Sequence, residues 1–309
     1  MTFRTRRNSI VRMAGESDFL RWVAAQPKGP GDFVVVPPGD DLAALKWAAE
    51  DLLLVGADQV LDGVHFDAAV HTPRQIGRKA MNRNLSDCAA MACLPAAAVA
   101  TVAAPRGAGL DYLKELYAGL REAADPWGCA VVGGDTGSWD GKLVLTVTIL
   151  GRSAGIPPVT RQGAKQWDGV FVSGPLGGSI LGRHMSFEPR IALARELAAD
   201  GKVTAMIDLS DGLSRDVRHI CEQSGVGVVI DASRIRIHED AQAMFRRDRR
   251  TPLEHALHDG EDYELLFTGP LEGLPEAMLV GLVTAEPGVW LKTPEGKVPL
   301  EPKGWEHSL

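Results

Sequence analysis

Seven aspartates stand in short runs flanked by small or polar residues, spread over most of a 309-residue chain. The runs are Gly39-Asp40-Asp41, Ala57-Asp58, Asn84-Leu85-Ser86-Asp87, Gly133-Gly134-Asp135-Thr136 and Asp208-Leu209-Ser210-Asp211-Gly212. Each follows or adjoins an apolar stretch that reads as a strand or a buried helix. Carboxylates brought together in this way repel one another and resist ionising together. A hard cation relieves the repulsion, and Mg²⁺ takes carboxylate oxygens together with substrate phosphates. Residue type and spacing therefore predict magnesium-dependent handling of phosphate.

Each run also has a plainer reading. Gly-Gly-Asp-Thr after a buried strand lets backbone N–H groups approach phosphate oxygens, yet Gly-Gly-Asp is often only a turn. Ser210 or Asp211 is placed to cap the helix predicted from Leu213; five such runs together favour a shared site. His65, seven residues after Asp58, reads by itself as a solvent-facing or satisfied core imidazole. The acidic stretch His258-Asp259-Gly260-Glu261-Asp262-Tyr263 reads as a solvated loop, or as one that presents Glu261 to a cationic ring. No Gly-x-x-x-x-Gly-Lys-Ser/Thr phosphate loop and no protein-kinase motif set occurs.

These residues need elements to hold them. Strands are predicted at Val34–Val36, Leu52–Val55, Ala97–Ala103 (buried), Ala130–Val132, Leu143–Leu150, Val170–Val172, Met206–Asp208, Val226–Ile230, Leu265–Phe267, Met278–Leu282 and Val289–Leu291. Helices are predicted at Ser17–Ala25, Pro73–Met91, Asp111–Ala124, Glu188–Ala199 and Leu213–Ser224. The Gly- and Pro-rich stretch Gly151–Lys165 marks a junction. Interleaved helices and short strands define an α/β (α+β) class in two domains, 1–153 and 154–309.

Composition narrows the function. A net charge of −7 argues against a general nucleic-acid surface. The one basic run, Arg246-Arg247-Asp248-Arg249-Arg250, reads as a solvated helix end. No apolar run is long enough to span a membrane, and the basic N-terminus precedes no apolar signal core. A cytoplasmic protein is expected. Cys88, Cys93, Cys129 and Cys221 form no Cys-x-x-Cys pair and read as buried thiols.

In combination the runs resemble the thiamine-monophosphate kinase family, of the superfamily that includes aminoimidazole ribotide synthetase. The matching stretches are Gly39–Ala43, Asp62–Phe66, Lys79-Ala80 with Asn84–Met91, Gly133–Thr136, Arg161–Ala164, Ser173–Gly177, Met206–Leu213, Gly260–Phe267 and Pro302–Trp305. They span nearly the whole chain in order. The resemblance implies a two-domain fold that dimerises through the N-terminal sheet. It implies transfer of the ATP γ-phosphoryl group to thiamine monophosphate, with Asp135 and Asp211 central to catalysis. It implies several Mg²⁺ ions on Asp41, Asp58, Asp87, Asp135, Asp208 and Asp211. ATP would meet Tyr117, Gly134, Asp135, Arg161 and Ser210, and the thiamine moiety His65, Glu261 and Trp305. An indole face and a carboxylate suit a cationic thiazolium.

The chain departs from the family's pattern at several places. Gly56 and Ala57 stand where hydroxyl residues are usual, Gly178 where a carboxylate is usual, and Asp259 where glycine is usual. The stretch from Gly178 to Arg183 and Arg190 is short, as if a helix were missing. Three alternatives stay open: another acceptor within the superfamily, a Mg²⁺-dependent phosphohydrolase, and a nucleotide-binding protein without turnover.

Overall fold

The structure is a computed structural model and describes residues 34–36, 40–48 and 50–306. The helix expected at Ser17–Ala25 and the basic N-terminus lie outside the described residues. In the first half, β1 (Val34–Val36), β2 (Ala43–Ala48) and β3 (Asp51–Leu61) lead to helix α1 (Pro73–Ala90). β4 (Leu94–Pro105), α2 (Leu110–Ala124), β5 (Ala130–Trp139) and β6 (Val144–Arg152) follow. The strands form one sheet in the order β1-β2-β3-β6-β4-β5. β4 and β5 run parallel, which requires the crossover that α2 supplies.

Local chemistry explains these elements. Thr72 accepts the Gln75 N–H while the Gln75 side chain accepts the Thr72 N–H, and Pro73 occupies the first turn, so α1 starts sharply. β6 alternates: Leu145, Val147 and Ile149 turn inward to meet Met81, Leu85 and Cys88 of α1 in one core. Glycines let α1 and α2 approach closely. A methyl at Gly77 would sit 2.0 Å from the Leu116 carbonyl oxygen, and one at Gly119 2.0 Å from that of Arg74.

Residues 153–168 cross to the second half without helix or strand. There β7 (Gly169–Val172), α3 (Ile191–Ala199), β8 (Ala205–Asp208), α4 (Leu213–Ser224) and β9 (Gly227–Asp231) appear in turn. α5 (Glu239–Asp248), α6 (Pro252–His258), β10 (Leu265–Gly269), β11 (Leu279–Thr284), β12 (Gly288–Thr293) and β13 (Gly296–Pro299) complete it. The second sheet has the order β13-β12-β9-β11-β7-β10-β8. Leu213, Val217, Ile220 and Cys221 of α4 bury against it. Phe171, Met206, Leu265 and Phe267 of the same sheet join the core that contains α1, so α1 is packed by both halves.

The mixed α/β class with two sheets is as expected, and the differences have local causes. β2, α6 and β13 were not predicted, and of α5 only its basic end was. α5 buries only Ala241 and therefore has no apolar stripe to read, and α6 is seven residues long. Its capping box, Thr251 with Glu254, is the signal that was legible. The strand predicted to be buried at Ala97–Ala103 is half-buried in β4. Gly133–Thr136 lies inside β5, not after it. Two short 3₁₀ turns, Ser179–Leu181 and Arg183–Met185, fill the shortened stretch.

Candidate active site

Helix α1 carries polar residues through its buried length, and they reach outward in a stripe. Lys79 Nζ meets Glu261 Oε1 at 2.7 Å and donates to the His65 carbonyl at 2.5 Å. Asn82 donates to the Phe187 carbonyl at 2.7 Å, and Arg83 Nε donates to Asp58 at 2.6 Å. Ser86 Oγ donates to Asp208 Oδ2 at 2.6 Å. Positions 79, 83 and 86–87 recur at helical spacing on one face. This face joins the end of β3 in the first half to β8 and the loop after α6 in the second.

At the end of the stripe, Asp41, Asp87 and Asp208 bring one carboxylate oxygen each within 4.8 Å of one another. Burial raises the Asp87 carboxyl well above the usual range, and the charges of Asp58, Asp208 and Asp41 raise it further. Asp208 is raised to about 7 by burial and by Asp41, against the Ser86 hydrogen bond. Asp40 is likewise raised to about 7 by burial and by Asp41, while it accepts the Arg161 N–H. Arg161 Nε lies 3.0 Å from Asp41 Oδ2 and supplies one positive charge at the cluster, and Arg83 supplies another that acts on Asp87. An oxygen-only set of crowded, buried carboxylates suits a hard divalent cation.

A cleft of about 830 Å³ opens beside this cluster. His65, Glu261 and Trp305, the three residues expected to meet a thiamine moiety, all line it, with Asp58, Arg83, Ser210, Asp211 and Tyr263. Asp58 links the two features, since it faces the cleft and its charge acts on both Asp87 and Asp208. His65 Nδ1 accepts the Leu61 N–H in the turn after β3. Glu261 sits at φ +53° and Tyr263 at φ +52°, strained values for side-chain-bearing residues. Their backbone N–H groups donate to Ser210 and Leu209 carbonyls, which holds the loop against the end of β8.

The structure separates other expected residues. Tyr117, Gly134 and Asp135 line a different cavity of about 380 Å³ between α2 and the β4–β5 pair. Register makes the separation explicit. Asp58 pairs with Val147, Val147 with Ala100, and Ala100 with Gly134. Three strand spacings are roughly 14 Å, so within one chain Asp135 does not join Asp41, Asp87 and Asp208. Gly134 also has a structural reason: a methyl there would lie 1.8 Å from the Ala100 carbonyl oxygen.

Further corrections follow. Neither Ser210 nor Asp211 caps α4, whose cap is Gly212 at φ +105°. Asp216, one turn inside α4, accepts the Asp211 and Gly212 N–H groups instead. The acidic stretch after α6 is not a solvated loop, because Asp262, Tyr263 and Glu264 are buried. Arg183 pairs with Asp262 and Arg190 with Glu264. The basic run does end a helix, yet its last residue, Arg250, pairs with Asp259 and lines the cleft. At the departure positions, Leu42 fills the space over Gly56, and the Gly178 N–H donates to Asp259. Arg83 and Asp216 were missed; charged residues inside an otherwise apolar helix pattern were the available signal.

Two joined sheets with crowded carboxylates at their seam define an AIR synthase related architecture. The model of the AIR synthase related protein N-terminal domain matches residues 39–153, and that of the C-terminal domain residues 162–291. The thiamine-monophosphate kinase of Rhodopirellula baltica is 39% identical over 292 residues, covering 89% of this chain and 92% of that protein. That of Aquifex aeolicus is 32% identical over 290 residues, covering 87% and 92%. A solved structure of AaThiL complexed with AMPPCP and TMP superposes with a TM-score of 0.83 at 28% identity, covering 99% of this chain and all of that one. The chain belongs to the AIR synthase related family, in the branch of the thiamine-monophosphate kinases.

Proposed function

We propose that this chain transfers the γ-phosphoryl group of ATP directly to the phosphate of thiamine monophosphate, giving thiamine diphosphate and ADP. The observation that carries this reading is one junction: the Asp41, Asp87 and Asp208 cluster, half-buried at the first two and buried at the third, beside a cleft lined by His65, Glu261 and Trp305. The cluster suits a polyphosphate with its cations, and the cleft suits a flat cationic ring. The relatives named above act as thiamine-monophosphate kinases, and the ATP analogue and TMP are bound in AaThiL.

Asp41, Asp87 and Asp208 are assigned to Mg²⁺, with Asp58 and Asp211 at the border of the cleft and Asp135 on β5. Bound there, Mg²⁺ would offset the charge of carboxylates and phosphates that otherwise repel. Arg161 and Ser210 are assigned to ATP near the cluster, and Tyr117 and Gly134 to ATP at the β5 cavity. Phosphoryl transfer depends mainly on positioning and charge neutralisation. The acceptor is already an anion, so the chain needs neither a covalent intermediate nor a strong general base. Asp135 and Asp211 are the proposed catalytic carboxylates, Asp211 in the cleft and Asp135 in the β5 cavity.

The reading includes a homodimer, domains divided at 153/154, and a cytoplasmic location. β5 ends its sheet and exposes Val132 and Trp139, an edge that a second copy can cover. The four cysteines are buried and free, in keeping with a reducing compartment. No helix among the described residues is long and apolar enough to cross a membrane.

The test is product formation by purified protein with ATP, Mg²⁺ and thiamine monophosphate. Thiamine diphosphate that disappears with EDTA supports the reading. ADP without thiamine diphosphate supports a phosphohydrolase or another acceptor, and ATP binding without turnover a binding protein.

A further inference from the structure

Glu261 reaches the cleft with its two oxygens in unequal positions. Oε1 takes Lys79 Nζ at 2.7 Å, accepts the Tyr263 hydroxyl at 3.3 Å, and lies 4.0 Å from Arg83. Oε2 has no hydrogen bond among the described residues, and the side chain is 23% exposed on the cleft wall. Lys79 is itself wholly buried, and its other contact is the carbonyl of His65, which also lines the cleft. One ammonium thus ties together two cleft residues from different halves of the chain. Burying an ammonium is costly unless it is paired, and a second buried cation, Arg83, stands four residues on.

We propose that Lys79 is a positioning residue for the acceptor: it holds Oε1 of Glu261 so that Oε2 faces the cleft and receives the positively charged ring of the substrate. The backbone at Glu261 is strained, a conformation that persists only where its surroundings hold it in this pose. The ion pair and the Tyr263 hydroxyl fix it. Lys79 does not line the cleft itself and reaches it only through Glu261 and the His65 carbonyl. Its effect therefore falls on the affinity for the cationic acceptor and on discrimination against a neutral analogue. This inference rests on the thiamine-monophosphate reading of the cleft.

Calorimetric binding of thiamine monophosphate, without ATP, is measured for the wild type, Lys79→Met, Glu261→Gln and the double variant. Steady-state KM values for both substrates and thermal midpoints are recorded alongside. Lys79→Met is expected to weaken acceptor binding at least about tenfold, the scale of a lost charge-assisted hydrogen bond. KM for ATP is expected to stay within about twofold. Because Lys79 acts through Glu261, the double variant is expected to bind no more weakly than Glu261→Gln alone. Additive losses, or a parallel rise in both KM values, would overturn the proposal in favour of a purely structural lysine. If Lys79→Met does not fold, Tyr263→Phe keeps the ring and removes only the second Oε1 donor. It is expected to weaken acceptor binding by about threefold, and unchanged binding in that variant also overturns the proposal. Wild-type protein that neither binds nor phosphorylates thiamine monophosphate defeats the functional reading itself, which is a different result from wild-type binding that Lys79→Met leaves intact.

Discussion

Ser86 Oγ on α1 donates a 2.6 Å hydrogen bond to Asp208 Oδ2 at the end of β8, so one hydroxyl joins the two halves of the chain at the acid cluster. The bond favours the ionised form of a carboxyl that burial has raised to about 7. Without it Asp208 holds its proton more firmly and is a poorer ligand. Ser86→Ala is expected to raise the Mg²⁺ concentration for half-maximal activity by about tenfold at neutral pH, with less effect at high pH. A Mg²⁺ titration of turnover at two pH values measures this, and an unchanged midpoint would falsify it.

Asp135 is the carboxylate on which fold and sequence expectation differ most. It is proposed for catalysis, yet it stands roughly 14 Å along the sheet from Asp58. Asp135→Asn is expected to lower turnover by more than about a hundredfold if the proposed site assignment holds. Near wild-type turnover removes Asp135 from the site and leaves Asp41, Asp87 and Asp208 as the working set. Light scattering on the same preparation reads the oligomeric state, and a monomer with full activity excludes the proposed dimer.

Stability should depend on pH in a particular direction. Asp40, Asp208 and Asp262 are each raised from 3.8 to about 7 in the folded protein, first of all by burial. The folded state then binds more protons than the unfolded state between those values. The contribution is fully present below about pH 4 and is lost as pH rises through about 7. The thermal midpoint of metal-free protein is expected to fall between about pH 5 and pH 8. Mg²⁺ is expected to restore it more at the higher pH, where its carboxylate ligands carry no protons. Scanning calorimetry with and without Mg²⁺ tests both signs, and a midpoint that rises with pH in EDTA would contradict the account.

The cleft wall depends on a stacked pair. Phe187 and Tyr263 rings lie 3.8 Å apart at 13°, and Phe187 is 6% exposed. Phe187→Ala is expected to cost about 3 kcal/mol of stability. It is also expected to raise KM for the acceptor, because Tyr263 lines the cleft and donates to Glu261. Denaturant unfolding with steady-state kinetics checks both; a loss of stability without any change in that KM would detach the stack from the site.

Gly56 tests whether the departure from the family's hydroxyl pattern is built into the packing. A side-chain carbon there would lie 2.2 Å from Leu42 Cδ2, next to Asp41. Gly56→Ser is expected to destabilise the protein by about 1–3 kcal/mol through overpacking and to lower Mg²⁺ affinity by displacing the Asp41 segment. Gly56→Ser with Leu42→Ala is expected to regain part of both. Failure of the second substitution to restore either quantity argues against this contact as the cause.

Local chemistry in the chain was enough to determine much of this molecule. Alternation in Leu143–Leu150 marked an inward face, Pro73 marked a helix start, and small residues beside aspartates marked where carboxylates gather. Ordered motifs marked the family. These signals act within a few residues, through sterics, capping and periodic burial, and a sequence displays them directly. The site itself was decided by tertiary structure. That Lys79 meets Glu261, that Ser86 meets Asp208, and that Asp135 lies three strands from Asp58 are consequences of strand order and of α1 packing between two sheets. The two contacts join residues 182 and 122 positions apart, and no local preference encodes which distant partners meet. Burial is equally nonlocal: the raised carboxyls of Asp87 and Asp208 follow from what surrounds them after folding, not from the residues beside them in the chain.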